Sequence, residues 1–172
     1  MNDTALPSLS VRLDLPTPEA TAALARWLAP QLRAGDVVLL DGPIGAGKSH
    51  FCRSLIQSRL NALGRSEDVP SPTYTLVQVY ELDGVDIWHA DLYRLSAADE
   101  AAELGLDEAF DTAICLVEWP DRLGDTAPDK ALCVHLSTGT GPDERRARIS
   151  AQVPRWQTVL DALAAGEWRG HD

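Results

Sequence analysis

No run of about 18 apolar residues occurs in this 172-residue chain, and its start lacks a charged stretch followed by an apolar one. Neither a membrane span nor a secretory signal is therefore expected. Basic residues are scarce: 15 Lys and Arg stand against 26 Asp and Glu, giving a formal net charge of −11 and a pI near 4.7. Neutralising phosphates supplies most nonspecific affinity for nucleic acid, so a chain this acidic is not expected to bind DNA directly or to grip RNA unaided. If RNA is involved, a partner brings it. Cysteine is limited to Cys52, Cys115 and Cys133, all within apolar segments and without a C-x-x-C pair. They read as buried thiols in a reducing compartment, which places the chain in the cytoplasm. Internal repeats, linkers and low-complexity segments are also missing. One domain over residues 1–172, with a polar tail from about Gly166, is the natural organisation.

What the chain does have is Gly42-Pro43-Ile44-Gly45-Ala46-Gly47-Lys48-Ser49, which fits G-x-x-x-x-G-K-[ST] at every fixed position. The apolar run Val37–Leu40 precedes it, and Phe51, Leu55 and Leu63 follow at helical spacing. This is the strand–loop–helix context of a phosphate-binding loop. Glycines let the backbone turn its N–H groups inward around an anion, and the new helix adds the positive end of its dipole. Gly42, Gly45, Ala46 and Gly47 would cradle the phosphates, Lys48 would reach the β- and γ-phosphates, and the Ser49 hydroxyl would hold Mg²⁺. The backbone N–H of His50, one residue further on, would meet the α-phosphate. The absence of an N-K-x-D signature favours ATP over GTP.

The rest of the pattern predicts an α/β fold. Val11, Leu13 and Leu15 alternate as a strand. Thr17-Pro18 then caps a helix striped by Leu24, Trp27, Leu28 and Leu32 and ended by Gly35. Val37–Leu40 is apolar on both faces, as in the centre of a covered sheet. The helix after the loop stops at Gly64. Thr73 to Leu82 reads as a long strand, Asp83-Gly84 as a tight turn, and Val85 to Ala90 as the returning strand. Ser96 with Asp99 suggests a capping box for a short acidic helix ending near Gly105. Ile114–Val117 is a further buried strand. Leu132, Val134 and Leu136 face Ala147, Ile149 and Ala151 in a second hairpin, and Trp156, Val159, Leu160 and Leu163 stripe a closing helix. A hairpin directly after a β-loop-α unit cannot belong to a purely parallel sheet. The expected architecture is a three-layer P-loop NTPase-like fold with a mixed, partly antiparallel central sheet.

Two acids stand at strand ends. Glu118 follows four apolar residues and precedes Trp119-Pro120, which break the strand. An acid there, beside the loop, either holds Mg²⁺ or its waters or is a solvent-facing strand-end acid. Asp91 closes the Val85–Ala90 strand and either orients an attacking water, holds a metal-bound water, or serves as a cap or an ion-pair partner of Arg94. Thr73 and Thr75 lie where switch-type nucleotidases sense the γ-phosphate, although β-propensity also explains them. Trp119 would stack on a base or a partner, or else belong to the core. His89 and His135 alternate with apolar residues and read as half-buried strand positions.

Four separated motifs, Gly42–Ser49, Ser71-Pro72-Thr73-Tyr74-Thr75-Leu76, His89-Ala90-Asp91-Leu92-Tyr93-Arg94-Leu95 and Leu116-Val117-Glu118-Trp119-Pro120, occur in this order. From about Leu15 to about Gln152 the chain resembles the bacterial TsaE (YjeE) family. The resemblance implies a small P-loop ATPase that serves formation of threonylcarbamoyladenosine beside the anticodon of tRNA. It implies a TsaB–TsaD heterodimer as partner, with tRNA met only indirectly through that complex. By position it implies Gly45 to Ser49 on the phosphates, Ser49 and Glu118 on Mg²⁺, Asp91 and Glu118 in hydrolysis, and the segment around Thr17 near the adenine. Ser49 stands where the family usually has threonine, His50 replaces a common threonine, and Pro43-Ile44 replace a more usual Asp-Leu.

No arginine occupies an obvious finger position, so the charge of the transition state would be stabilised from outside, an effect worth about 10³–10⁵ in rate. The expectation is a slow ATPase completed by a partner. Two other readings stand beside it. A small-molecule kinase would need a lid, whereas Arg145, Arg146 and Arg148 fall in an expected edge strand. A nucleotide-dependent binding switch would show assembly without sustained turnover.

Overall fold

A computed structural model describes residues 9–72 and 74–170. Its seven strands are β1 (Leu9–Leu15), β2 (Val37–Asp41), β3 (Val77–Glu81), β4 (Asp86–Asp91), β5 (Ile114–Glu118), β6 (Leu132–Thr138) and β7 (Arg145–Ala151). They form one sheet in the order β1-β7-β6-β2-β5-β4-β3. The four central strands, β6, β2, β5 and β4, run parallel. β7, antiparallel to β6, and β1, antiparallel to β7, extend one margin, and β3, antiparallel to β4, the other. The sheet is mixed, as the early hairpin required.

Two apolar clusters sandwich the sheet. Val38 and Leu40 of β2 join Leu24, Phe51, Leu55 and Trp156 on one face, under α1 (Pro18–Leu28), α2 (Lys48–Ala62) and α5 (Gln157–Ala164). Val37 and Leu39 join Leu92, Leu106, Phe110 and Val117 on the other, under α3 (Asp99–Glu103) and α4 (Leu106–Thr112). Each fully buried leucine or phenylalanine contributes about 1.5–3 kcal/mol, so alternate residues of one strand hold both outer layers. No helix among the described residues is long and apolar enough to cross a membrane.

The helix starts and stops show where local sequence governs. Thr17 caps α1, its hydroxyl accepting from the Ala20 N–H at 3.1 Å. Gly64 adopts φ +72° and ends α2 with its N–H on the Asn61 carbonyl and the Arg65 N–H on the Leu60 carbonyl. α1 ends at Leu28 rather than near Gly35, because Pro30 lacks an N–H and turns residues 29–31 into a 3-10 helix. β3 starts at Val77, four residues later than the expected Thr73, because Leu76 at φ +67° closes a turn with its N–H on the Pro72 carbonyl. Thr73 itself lies outside the described residues.

Further differences follow from packing. The Ser96–Asp99 capping box does not form: Ala98 occupies the cap position of α3, and the Ser96 hydroxyl donates to the Glu100 carboxylate. Gly105, expected as a stop, opens α4 at φ +87° against the Trp88 ring, where a Cβ would sit 3.3 Å away. β7 is not an edge strand, since β1 covers its outer side from Leu9↔Ala151 to Leu15↔Arg145. Cys52 and Cys115 are buried as expected, but Cys133 is exposed, because β6 turns Leu132 and Val134 inward on either side of it.

Candidate functional site

Three parallel strands end side by side at the site. β2 runs into the glycine-rich loop, with Leu40 registered against Glu118 of β5. Glu118 is in turn registered against Asp91 of β4. The Trp119 N–H bonds the Leu40 carbonyl at 3.2 Å and the Leu92 N–H bonds the Glu118 carbonyl at 3.1 Å, fixing the strand ends to one another. The loop turns on Gly42, Gly45 and Gly47, at φ +141°, +83° and +102°. Gly42 is also required sterically, since a Cβ there would lie 2.2 Å from the Leu136 carbonyl oxygen. Ala46 is fully buried beneath the loop.

Lys48 opens α2 and is almost wholly buried. Its ammonium donates to the carbonyls of Gly42 and Pro43, the latter at 3.0 Å, and lies 4.0 Å from the centre of the Trp119 ring. Burial pulls its pKa down, while Glu118, Asp41 and Asp91 oppose that shift. The Ser49 hydroxyl donates to Oε1 of Glu118 at 2.8 Å. The other oxygen of that buried carboxylate, Oε2, lies 2.7 Å from Nε2 of His89. Asp91 is 8% exposed and accepts the Tyr93 N–H at 3.1 Å. Burial raises its carboxyl above the ordinary range; the Tyr93 N–H counteracts this and the Glu118 charge adds to it. Asp91 thus caps its own turn. Arg94 donates instead to the Tyr74 carbonyl at 2.9 Å.

Gly45, Gly47, Lys48, Ser49, His50, Asp91, Glu118 and Trp119 line one open cavity of about 430 Å³. Gly42 touches it through Lys48. Thr17 does not line it: its hydroxyl is spent on the α1 cap, though His50 Nε2 donates to the neighbouring Pro18 carbonyl at 2.9 Å and ties the start of α1 to the start of α2. Thr75 accepts from the Gln78 amide at 2.9 Å in the turn before β3 and is not in the cavity wall. Trp119 belongs neither to the deep core nor to open solvent. It adopts φ +59°, uncommon for so bulky a residue, and packs against Lys48 and the Tyr93 ring, 4.9 Å between centroids.

Several contributors escape a reading along the sequence. His89 is fully buried, not half-buried, and bears on Glu118. Its signal was its place two residues before Asp91, which puts both on one face of β4. Arg53 lines the cavity one helical turn after Ser49, and Arg145, a hundred residues from Gly45, donates to its carbonyl at 3.1 Å. Two guanidinium groups therefore stand at a site where none was expected. Cys52 approaches His89 and Glu118, their ligand atoms all within 4.8 Å of one another. Burial and the Glu118 charge push its thiol pKa well up.

The donor set suits a magnesium-bound triphosphate. A glycine-rich loop at the start of a 15-residue helix suits phosphate, and a hydroxyl beside a carboxylate supplies the hard oxygen ligands that Mg²⁺ takes.

The model of the family described as "Threonylcarbamoyl adenosine biosynthesis protein TsaE" matches residues 15–147. The tRNA threonylcarbamoyladenosine biosynthesis protein TsaE of Rickettsia felis is 42% identical over 103 residues, which is 60% of this chain and 58% of that one. The protein so named in Bacillus subtilis is 34% identical over 148 residues, 86% of this chain and 89% of that one. The match thus spans under three fifths of the rickettsial relative but almost nine tenths of the Bacillus one. Among solved structures, the crystal structure of Bacillus subtilis YdiB superposes with a TM-score of 0.76 at 27% identity, covering 93% of this chain and 97% of that one.

Proposed function

This chain belongs to the TsaE family of threonylcarbamoyladenosine biosynthesis proteins, and on that premise we propose that it is a Mg²⁺-dependent ATPase supporting the modification of tRNA. The observation that carries the reading is the 2.8 Å hydrogen bond from Ser49 to Glu118 at the mouth of a complete phosphate-binding loop. The backbone of Gly45 to Ser49 holds the phosphates. Lys48 leaves the Gly42 and Pro43 carbonyls and moves onto the β- and γ-phosphates, bringing a positive charge to where charge develops in the transition state. Ser49 and Glu118 hold Mg²⁺, which when bound neutralises phosphate oxygens. Asp91, beside Glu118 and raised in pKa by its burial, orients the attacking water by accepting its hydrogen bond. His50 contributes its backbone N–H, since its ring is engaged with Pro18. The adenine lies toward the start of α1 near Thr17, and Thr73 contributes to sensing the γ-phosphate.

The partners follow from the family and from the charge of the molecule. A TsaB–TsaD heterodimer stimulates turnover and brings the tRNA, which an acidic protein does not grip by itself. Ile44, 74% exposed on the outer lip of the loop, offers an apolar contact to that complex.

The test is phosphate release by the purified protein, alone and with TsaB–TsaD plus tRNA, beside Lys48→Ala. The expected result is slow turnover alone, a rise with the partners, and loss of ATP binding in a folded Lys48→Ala. Unchanged ATP affinity in that variant overturns the phosphate-loop assignment. Phosphate appearing on a small molecule favours a kinase, and nucleotide-dependent assembly without sustained release favours a switch.

A further inference from the structure

We propose that His89 is a positioning residue: its ring pins one oxygen of Glu118, so that the other stays turned toward Ser49. The inference rests on the reading of Ser49 and Glu118 as the metal-holding pair and adds a third member to it.

The sheet register creates the contact. His89 is paired with Leu116 across β4 and β5, and Glu118 lies two residues beyond Leu116 on the same face. Such diagonal neighbours are within reach of long side chains, and here they meet at 2.7 Å. A glutamate has three rotatable bonds, and hydrogen bonds from Ser49 Oγ and His89 Nε2 fix the orientation of the buried Glu118 carboxylate. With both made, Oε1 stays beside the Ser49 hydroxyl.

The other ring nitrogen explains why the histidine is there. Nδ1 of His89 is buried and has no hydrogen-bond partner among the described residues, so the site provides an acceptor for one ring N–H only. An apolar side chain would fill this fully buried strand position without stranding a polar atom. The position therefore uses one N–H donor at the reach of Nε2, and a glutamine, whose amide nitrogen lies at about the same distance from the backbone, satisfies the same requirement. Asparagine, which corresponds to the δ position, does not reach. Groups that hold a metal ligand from behind in this way typically change metal affinity by about tenfold to a hundredfold when removed.

The test uses the full chain carrying His89→Gln, His89→Asn or His89→Leu, with a thermal melt for each. A non-hydrolysable ATP analogue is titrated with and without Mg²⁺, and the half-saturating Mg²⁺ concentration is read at fixed nucleotide. The expected result is a rise of about tenfold or more in that concentration for Asn and Leu, recovery of most of the loss by Gln, and unchanged Mg²⁺-free nucleotide affinity. A wild-type Mg²⁺ requirement in the Asn variant overturns the proposal, and so does an equal loss of Mg²⁺-free binding in Asn and Gln. Should Leu prevent folding, the Asn and Gln pair decides alone. Ser49→Ala and Glu118→Gln separate the two levels. If these leave the Mg²⁺ requirement unchanged, the metal pair itself is wrong; if they change it and the His89 variants do not, only the role of His89 falls.

Discussion

Asp91 shows what a single buried carboxyl costs and supplies. It is 8% exposed, its best partner is one backbone N–H, and burial holds its pKa above the ordinary 3.8. The folded state therefore binds this proton more tightly than the unfolded chain. The stability it contributes is fully present below about pH 3.8 and is lost as pH rises through the elevated folded value. Asp91→Asn removes that loss. We expect the variant to melt above the wild type at neutral pH, the gap closing as pH falls toward 4, while turnover drops and ATP affinity holds. Melting curves across this range, with phosphate release at neutral pH, check both halves. Equal melting temperatures at pH 7 or normal turnover would refute the assignment. Asp91 and Glu118 were legible in the sequence because each ends a strand, and that of Glu118 is otherwise wholly apolar. His89 was not, because whether an alternating strand residue points to a carboxylate or to packed methyls depends on the neighbouring strand, and that pairing lies 27 residues away at Leu116.

At the level of the element, the loop and its helix were readable because their requirements are local: glycines at positive φ, a strand before and a helix after. The glycines are nevertheless not equivalent. A Cβ at Gly42 would collide with the Leu136 carbonyl of β6, whereas a Cβ at Gly45 or Gly47 meets nothing within 4 Å. Gly42→Ala must displace the loop from β6, and we expect a large fall in melting temperature together with weaker nucleotide binding. Gly45→Ala should cost only its left-handed backbone strain, on the order of 1–2 kcal/mol. Denaturant unfolding of the two variants side by side tests the ranking. Elements whose limits depend on tertiary contact were harder to read. The split of α3 from α4 at Gly105 follows the Trp88 ring, and the late start of β3 follows Leu76, whose carbonyl accepts the Asp91 N–H at 2.8 Å. Neither contact leaves a local pattern.

Across the whole molecule, the parallel strands carry the site at their carboxyl ends and the antiparallel hairpins complete the sheet on either side. Arg145 reaches Gly45 only because β7 lies between β1 and β6, two strands from β2. A sequence reading that made β7 an edge strand could not find it. Charge is distributed just as unevenly. Asp99, Glu103, Asp107, Glu108 and Asp111 stand exposed on α3 and α4, on one side of the sheet. An acidic surface of this kind docks on basic partner surfaces by attraction that salt screens, with a Debye length of about 10 Å at 0.1 M. Half-maximal stimulation by the partner complex should therefore need more complex as salt rises, with basal turnover changing less. A salt series of stimulated and unstimulated phosphate release decides it, and a salt-independent half-saturation would place docking elsewhere.

The contact between Lys48 and Trp119 has an optical consequence. Trp27, Trp156 and Trp168 are buried, and Trp88 packs beneath α4. Among the described residues, Trp119 is the indole that shares the cavity with the ammonium, 4.0 Å from its ring. Under the proposed function, a triphosphate that draws Lys48 away would also change what that indole faces. On the proposed reading, nucleotide arrival should therefore change the summed tryptophan emission of unlabelled protein through this one side chain.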